Sequence, residues 1–291
     1  MSHSNFTTKP SEMQDILNET LEKIAERVKF KGEILQNFDG ILSPEQFTYF
    51  SECGTFLGAN KDNKIVKANF CKNRLCPVCN RRYSAQKWLK MKNITEKIKI
   101  EFKPVFAFLT VTVKNVTSAA LNSEISKLMK SIDRMHKTAL WKNNVLGFFR
   151  SLEITYNADT NTYHPHYHYV LALHEHYTGN MVSTYEWRKL WERSARLDYT
   201  SQINIQLINE DLDGGIAEVA KYAVKISSVI KHGKEPLKTI IQAIKGRRLI
   251  SYGGVMKTYA KEFDKVENTE YDGEAVNYFV YNNSFGGFDI F

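Results

Sequence analysis

The stretch FFRSLEITYNADTNTYHPHYHYVLAL, residues 148–173, predicts the central element of the fold. Its first nine and last twelve residues are rich in aromatic and β-branched side chains, and the turn formers between them predict a β-hairpin. Three histidines take alternate positions of the second strand: His164, His166 and His168. Side chains alternate between the faces of a strand, so the three imidazoles share one face. This face predicts a metal site, because imidazole is a common metal ligand; the alternative is a surface strand that happens to carry histidines.

The first strand of the hairpin offers a further metal ligand. A turn centred near Asp159 and Thr160 sets Glu153 opposite His166 on the same face, where opposed side chains approach within about 5 Å. One Glu and two His, with positions left for water and substrate, suit a catalytic divalent ion. A slip of one residue would turn Glu153 to the other face, and its alternative role is a solvated strand carboxylate.

A second group of polar residues lies in EVAKYAVK, residues 218–225, after a helix start at Asp213. On a helix, Glu218, Tyr222 and Lys225 share one face, opposite an apolar stripe. Alone, the pattern is that of an ordinary amphipathic helix. Beside a metal site, the tyrosine can act as a nucleophile, the glutamate as a general base and the lysine as a phosphate contact.

All the cysteines of the chain lie upstream of the hairpin: Cys53, Cys71, Cys76 and Cys79. Four thiolates suit a closed tetrahedral Zn²⁺ site with a structural role, although the spacing of the first pair is irregular. The alternatives are a redox pair and buried free thiols, but no thioredoxin-like context surrounds the C-x-x-C motif. Basic residues around the cysteines could contact DNA phosphates or only solvate the module: Lys72, Arg74, Arg81 and Arg82.

The composition favours a polyanionic partner. The net charge is +8 and the pI about 9.1, and an aromatic content of 12% can supply stacking surfaces for unpaired bases as well as a core. No apolar run approaches the length of a membrane span, and the N-terminus has no signal-peptide pattern. With the thiols interpreted as zinc ligands, we expect a cytoplasmic protein without membrane contact.

Hydrophobic periodicity predicts an α+β fold. A helix starts at Ser11 with a capping-box pattern, and a strand is expected over Val105–Val113. The hairpin, with a helix before it and a helix and a strand after it, completes a β-α-β-β-α-β order. That order matches the ferredoxin-like arrangement of an antiparallel sheet backed by helices. Residues 229–263 are expected to be helical and basic, and their Arg247 and Arg248 are candidate DNA contacts or part of a solvated face.

Several motifs carry a resemblance to HUH endonucleases. PHYH (165–168) is similar to their His-hydrophobe-His motif, KYAVK (221–225) to their tyrosine motif, and FLTVTVKN (108–115) to the motif that comes first in chain order. With a late YGG segment at 252–254, the order resembles that of the single-tyrosine initiators of plasmid rolling-circle replication. The resemblance runs from about Cys53 to Lys257.

The resemblance implies a role for each matching residue. His166 and His168 match the pair that binds Mn²⁺ or Mg²⁺, and His164 is a further candidate ligand or substrate contact. Tyr222 matches the tyrosine that attacks a DNA phosphodiester and keeps the 5′ end. Glu218 matches a carboxylate that activates water at termination, and we add Lys221 to the candidate DNA contacts.

The sequence pattern also predicts an organisation, and the resemblance implies partners. We expect an N-terminal helical segment (1–45), a zinc-binding Cys module (46–92), an HUH nuclease core (93–229) and a basic, helical C-terminal extension (230–291). The expected partners are single-stranded or hairpin origin DNA, the host helicase and the replication machinery. The sequence does not predict the oligomeric state, and a dimer is one option. The alternatives are a relaxase or transposase on the same scaffold, and a zinc-containing DNA-binding regulator with an inactive HUH site.

Overall fold

The computed structural model describes residues 10–178, 182–208, 211–220, 229–266 and 274–290. They belong to two compact units. The first unit comprises Met1–Arg82 and Glu267–Phe291, and the second comprises Tyr83–Val266. Within the described ranges, no helix combines the length and the apolar character needed to cross a membrane.

The helices and strands of these ranges are numbered in chain order. The helices are α1 (Pro10–Ile34), α2 (Pro44–Glu52), α3 (Pro77–Phe102), α4 (Ser118–Met135), α5 (Ala139–Asn144), α6 (Thr184–Ala195), α7 (Leu212–Ala220), α8 (Lys234–Ile244) and α9 (Val255–Val266). The strands are β1 (Phe56–Ala59), β2 (Ile65–Ala68), β3 (Val105–Thr112), β4 (Val145–Asn157), β5 (Thr162–Leu173), β6 (Ile203–Leu207), β7 (Ile250–Gly254), β8 (Asn277–Asn282) and β9 (Gly287–Ile290).

The first unit contains a four-stranded antiparallel sheet in the order β2-β1-β8-β9. One face of this sheet packs against α1, where Leu17 meets Leu57 and Phe279 in a small core. The C-terminal hairpin thus completes a sheet begun some two hundred residues earlier, since Leu57 pairs with Phe279. The expectation of a helical C-terminal extension is wrong here. The segment NYFVYN is rich in aromatic and β-branched residues, which favour a strand, and Gly286 closes the turn at a φ of 72°.

The second unit contains a five-stranded antiparallel sheet in the order β6-β3-β5-β4-β7. The predicted β-α-β-β-α-β order is confirmed as β3-α4-β4-β5-α6-β6, and the α+β class with it. The apolar stripe of α4 is buried as its periodicity predicts, with Leu121, Ile125 and Leu128 at most 1% exposed. β5 is the central strand, so both of its edges are paired, and most of its residues are buried.

The two faces of β5 carry different chemistry. Tyr169 lies on one face within an aromatic cluster that includes Trp141, and Trp141 in turn contacts Trp187 of α6. Val170 lies on the other face, in a core formed with α3, α7 and α9. His164, His166 and His168 share the face of Val170, because they stand an even number of positions from it.

The strand β7 corrects the expectation that residues 229–263 are helical throughout. It pairs with β4, and Gly253 and Gly254 lie opposite Phe148 and Gly147. A Cβ on Gly253 would overlap the ring of Phe148, and one on Gly254 would overlap the carbonyl oxygen of Leu146. The YGG segment therefore permits a close approach of two strands and the turn into α9, a tertiary requirement that helical periodicity does not reveal.

Replacing Gly254 with Ala should destabilise the second unit by about 2–4 kcal/mol. Gly254 has a φ of 56° and backbone atoms fill the space of a Cβ, so strain and overlap act together. Gly246→Ala is the matched control: its φ is 71°, but no atom lies within 4 Å of the added Cβ, so only about 1 kcal/mol is expected. Chemical denaturation measures both, and equal losses would contradict the role of close approach.

Candidate functional site

Three ligand atoms converge on the histidine face of β5. The β4–β5 pairing places Glu153 directly opposite His166, the register that the hairpin turn predicts. The Nε2 atom of His168 lies 2.9 Å from Oε2 of Glu153 and 3.1 Å from Nε2 of His166. The third side of the triangle, from His166 Nε2 to Glu153 Oε2, is 3.3 Å. Neighbouring ligands of an octahedral ion with bonds of about 2.1 Å stand about 3.0 Å apart, so the triangle fits one metal ion.

Hydrogen bonds at the far side of each ring orient the two imidazoles. Nδ1 of His166 lies 3.1 Å from the backbone oxygen of His164, and because a carbonyl only accepts, this nitrogen carries the proton. Nδ1 of His168 lies 3.0 Å from Oγ1 of Thr110, which can accept in the same way. In neutral rings both Nε2 atoms then present lone pairs to the centre of the triangle, whereas protonated rings donate from Nε2 to Glu153. Outer hydrogen bonds of this kind are typical of metal-ligating histidines.

The electrostatics of the triangle favour an ionised carboxylate. Glu153 is only 9% exposed, and burial by itself would raise its pKa. Hydrogen bonds and charge interactions with His166 and His168 outweigh burial and lower the pKa. His164 lies outside the triangle, with its ring 5.1 Å from that of His166, and burial followed by the charge of His166 lowers its pKa.

Two open grooves flank the triangle. The first, of about 760 Å³, runs along β3 and β6 and includes Thr110, the residue that orients His168. Its other lining groups are mainly polar: Thr112, Arg188, Thr200, Ser201, Gln202, Ile203 and Asn204. The second, of about 550 Å³, contains His164, Thr155, Asn115 and His232. Sequence reasoning did not single out Thr110 or His232. The alternation of FLTVTVKN held the signal for Thr110, whereas nothing local marks His232.

The helix that precedes the predicted nucleophile packs on the histidine face. Ile216, Val219 and Ala220 of α7 are buried in the same core as Phe149 and Val170, as the predicted apolar stripe requires. Glu218 is partly exposed. Three of the candidate residues fall outside the described residues: Lys221, Tyr222 and Lys225.

The four cysteines form a second cluster, in the first unit. Their sulphur atoms all lie within 4.8 Å of one another, and the measured separations include 3.5 Å for Cys53–Cys79 and 3.8 Å for Cys71–Cys79. Sulphur atoms about 2.3 Å from a tetrahedral ion stand about 3.8 Å apart, so the cluster fits one such ion. None of the four forms a disulfide. A hydrogen bond from Cys53 lowers the pKa of Cys71, and that same bond raises the pKa of Cys53.

Lys31 supports the cysteine cluster, a role that sequence reasoning missed. Its side chain is 2% exposed, and Nζ donates to the backbone oxygens of Ser51 and Cys53 at 2.6 and 2.7 Å. Burial lowers the pKa of Lys31, while the four nearby sulphur atoms favour its charged form. A cation beside four thiolates offsets part of the negative charge that such a cluster carries when it binds a divalent ion.

The candidate DNA-contacting cations differ in their surroundings. Lys72, Arg74 and Arg81 are exposed near the cysteines, and Arg82 lies 5.0 Å from the ring centre of Phe70. In the second unit, Arg248 is exposed. Arg247 instead donates to Asn122 and Ser126 and so fastens the end of α8 to α4, a structural contact.

Comparison with known proteins agrees with the order of motifs. The sequence profile of the replication protein family matches residues 62–278. A "Protein rep" of Streptococcus pneumoniae is 37% identical over 215 residues, which cover 70% of this chain and 67% of the relative. One of Bacillus amyloliquefaciens is 34% identical over 264 residues, 78% of each chain. One of Staphylococcus aureus is 32% identical over 219 residues, 72% of this chain and 95% of the relative.

No solved structure matches the chain. The profile nevertheless spans most of the sequence, and the relatives are matched over two thirds or more of their own length. The resemblance to plasmid replication initiators is thereby confirmed. The chain belongs to the replication protein family and is a plasmid replication initiator.

Proposed function

We propose that this initiator nicks one strand of its plasmid origin and retains the 5′ end on Tyr222, which starts rolling-circle replication. The observation that carries the proposal is the convergence of Glu153, His166 and His168 on one point of the central strand. Three N and O ligands with room for substrate oxygens are typical of sites that act on phosphodiesters.

Mn²⁺ or Mg²⁺ is the ion that we assign to this triangle. When bound, it supplies charge stabilisation to the nonbridging oxygens of a phosphodiester. Residues of the chain hold the ligands in place: Thr110 orients the imidazole of His168, and the backbone carbonyl of His164 orients that of His166. The ring of His164 lines the second groove, where it can contact a substrate. The polar linings of the two grooves suit a single DNA strand that crosses the sheet.

Tyr222 is the proposed nucleophile. Its phenol oxygen forms a bond to phosphorus while the bond from phosphorus to the 3′ oxygen breaks, which yields a 5′-phosphotyrosine and a free 3′-OH for a polymerase. A free phenol has a pKa near 10, so the attack needs assistance, and Lys225, three positions later in the motif, is a candidate contact for the phosphate. Support comes from α7, which packs on the histidine face and whose last described residue, Ala220, stands two positions before Tyr222 in the chain.

Glu218 has a separate proposed role at termination. A carboxylate one helical turn before the tyrosine could activate water to hydrolyse a phosphodiester, which would end the cycle without a covalent link. The alternative is a helix-surface residue that only positions Tyr222. The cysteine cluster, in turn, is proposed to hold a structural Zn²⁺ ion.

The proposed setting is the cytoplasm, where the plasmid origin and its host helicase are found. Lys72, Arg74, Arg81, Arg82, Lys221 and Arg248 are the proposed contacts to backbone phosphates. Arg247 is left out of this set, because its guanidinium group donates to Asn122 and Ser126 of α4 and has a structural role.

Tyr222→Phe should bind single-stranded origin DNA with unchanged affinity but form no covalent adduct, because only the attacking oxygen is lost. The adduct is measured as a protein–DNA band that survives denaturation. Tyr252→Phe is the matched control: this tyrosine packs edge-on against Phe149 at 5.3 Å, and its variant should still form the adduct. An adduct in Tyr222→Phe would refute the assignment. A parent protein that binds but never nicks would point to a DNA-binding regulator.

Glu218→Gln should nick and form the adduct at the parental rate but fail to terminate. The amide keeps the size of the side chain and removes its basicity, so multimers and read-through products should accumulate in a plasmid replication assay. Termination as clean as in the parent would leave Glu218 with a positioning role only.

The two clusters should bind metal independently. Protein purified without added metal should contain about one zinc ion per chain, and titration with Mn²⁺ should reveal one further site. Cys76→Ser should release the zinc and leave Mn²⁺ binding intact. Glu153→Gln should weaken Mn²⁺ binding by at least about 10-fold with the zinc retained. Elemental analysis measures the zinc content and calorimetry measures Mn²⁺ binding. Loss of zinc in Glu153→Gln, or weaker Mn²⁺ binding in Cys76→Ser, would overturn the assignment.

A further inference from the structure

We propose that the outer face of the first unit's sheet binds unpaired DNA bases, which stack on Phe56 and Tyr278 while lysines of the β1–β2 hairpin contact the phosphates. This inference deepens the proposed function, because it supplies a DNA contact in the unit that does not carry the nicking residues. It rests on the described residues of the first unit alone.

The two faces of this sheet are unlike. The inner face carries Leu57 and Phe279, which are nearly inaccessible in the core with α1. The outer face is formed by the residues that alternate with them. Phe56 pairs with Val280, and Gly58 pairs with Tyr278, so these four share the outer face.

Two aromatic rings stack on each other on the outer face. The rings of Phe56 and Tyr278 have centres 5.7 Å apart and planes inclined by 26°, and Phe56 is 38% exposed. One exposed aromatic residue would need no explanation. A stacked pair with an exposed member, however, offers a ring face on which a base can continue the stack without regard to sequence.

A glycine shapes the space beside the rings. Gly58 stands between Lys67 on one side and Tyr278 on the other. A Cβ there would lie 2.9 Å from Cβ of Ala275, 3.1 Å from Cβ of Lys67 and 3.3 Å from Cε1 of Tyr278. Because Gly58 lacks a side chain, Lys67 reaches across it and places Nζ 5.7 Å from the ring centre of Tyr278. A cation at the edge of an aromatic surface is the combination that binds single-stranded nucleic acid.

The charges around the rings favour a DNA strand and indicate on which side its phosphates lie. Lys61, Lys64 and Lys67 are exposed on the β1–β2 hairpin, against the single acidic residue Asp62. On the opposite side of the face, Asp289 lies beside Val280. A strand of DNA therefore fits with its phosphates along the lysines of the hairpin and its bases towards β8. Duplex DNA does not expose the π-faces of its bases, so it can use the lysines but not the rings.

The first experiment compares oligo(dT) of about 20 nucleotides with a dA·dT duplex of equal length, in the full chain by fluorescence anisotropy. Phe56→Ala and Tyr278→Ala should each weaken oligo(dT) binding about 10-fold and leave duplex binding unchanged. Phe56→Tyr keeps the ring and should bind as the parent does. Tyr49→Ala is the matched control, because Tyr49 is 57% exposed in α2 of the same unit.

Salt dependence separates stacking from charge. Phe56→Ala should leave the slope of log affinity against log salt unchanged, whereas a Lys64→Ala, Lys67→Ala double variant should reduce it by about 1.4. A lower slope with Phe56→Ala would mean that the ring only positions a lysine, and the stacking proposal would then be wrong.

Photocrosslinking tests the same surface in the unaltered protein, so a variant that misfolds leaves the proposal testable. Oligo(dT) that carries 5-iododeoxyuridine should crosslink to Phe56 or Tyr278, as peptide mass spectrometry reports. Crosslinks confined to other residues, or oligo(dT) affinities unchanged in both alanine variants, would overturn the proposal.

Nicking distinguishes this proposal from the proposed nuclease. On single-stranded origin DNA, Phe56→Ala should raise KM and leave kcat unchanged, because the rings do not touch the reacting phosphate. A parent protein without nicking activity would sink the nuclease proposal, yet crosslinks to Phe56 would still support the stacking surface.

Discussion

The register between β4 and β5 is the constraint on which the candidate site depends. It sets Glu153 opposite His166, and it is enforced from both faces of the hairpin. A slip of one residue would carry the carboxylate to the face where Tyr167 and Tyr169 are buried, and an unpaired charge there would cost several kcal/mol. Burial of the aromatic face therefore holds the strand register that brings Glu153 to the histidines. A mixed surface strand would offer no such protection.

Much of this arrangement was predictable because the signals are local. Period-two alternation marks β3, β5 and β6, and the turn formers after Tyr156 fix the register that brings Glu153 to the histidines. The stripe of Ile216 and Val219 marks the buried side of α7. Each of these inferences needs only a strand or helix periodicity and one side that must be buried.

The parts that sequence reasoning missed are long-range. β1 pairs with β8, more than two hundred residues away, and no local pattern names such a partner. Lys31 lies in an amphipathic helix, where a lysine is normally assigned to solvent, yet the fold buries it beside the cysteines. Arg247 belongs to a basic run that suggests DNA, but its donors meet the backbone and side chains of α4. In each case the tertiary partner decides the role, and the residue type alone does not.

The two candidate metal sites differ in the ions that their ligands favour. Four thiolates form a closed, soft site that favours Zn²⁺, whereas Glu153 and two imidazoles form a harder site with open positions. At equal concentrations of the free ions, the second site would bind Zn²⁺ more tightly than Mn²⁺. The order of affinities at sites with nitrogen and oxygen ligands is set mainly by the metal ion and less by the protein. Selectivity at Glu153 must therefore come from the free concentrations of the ions. Activity supported by Mn²⁺ should accordingly fall when zinc is added beyond the amount that the cysteines take up, even though the fold gains nothing further from that zinc.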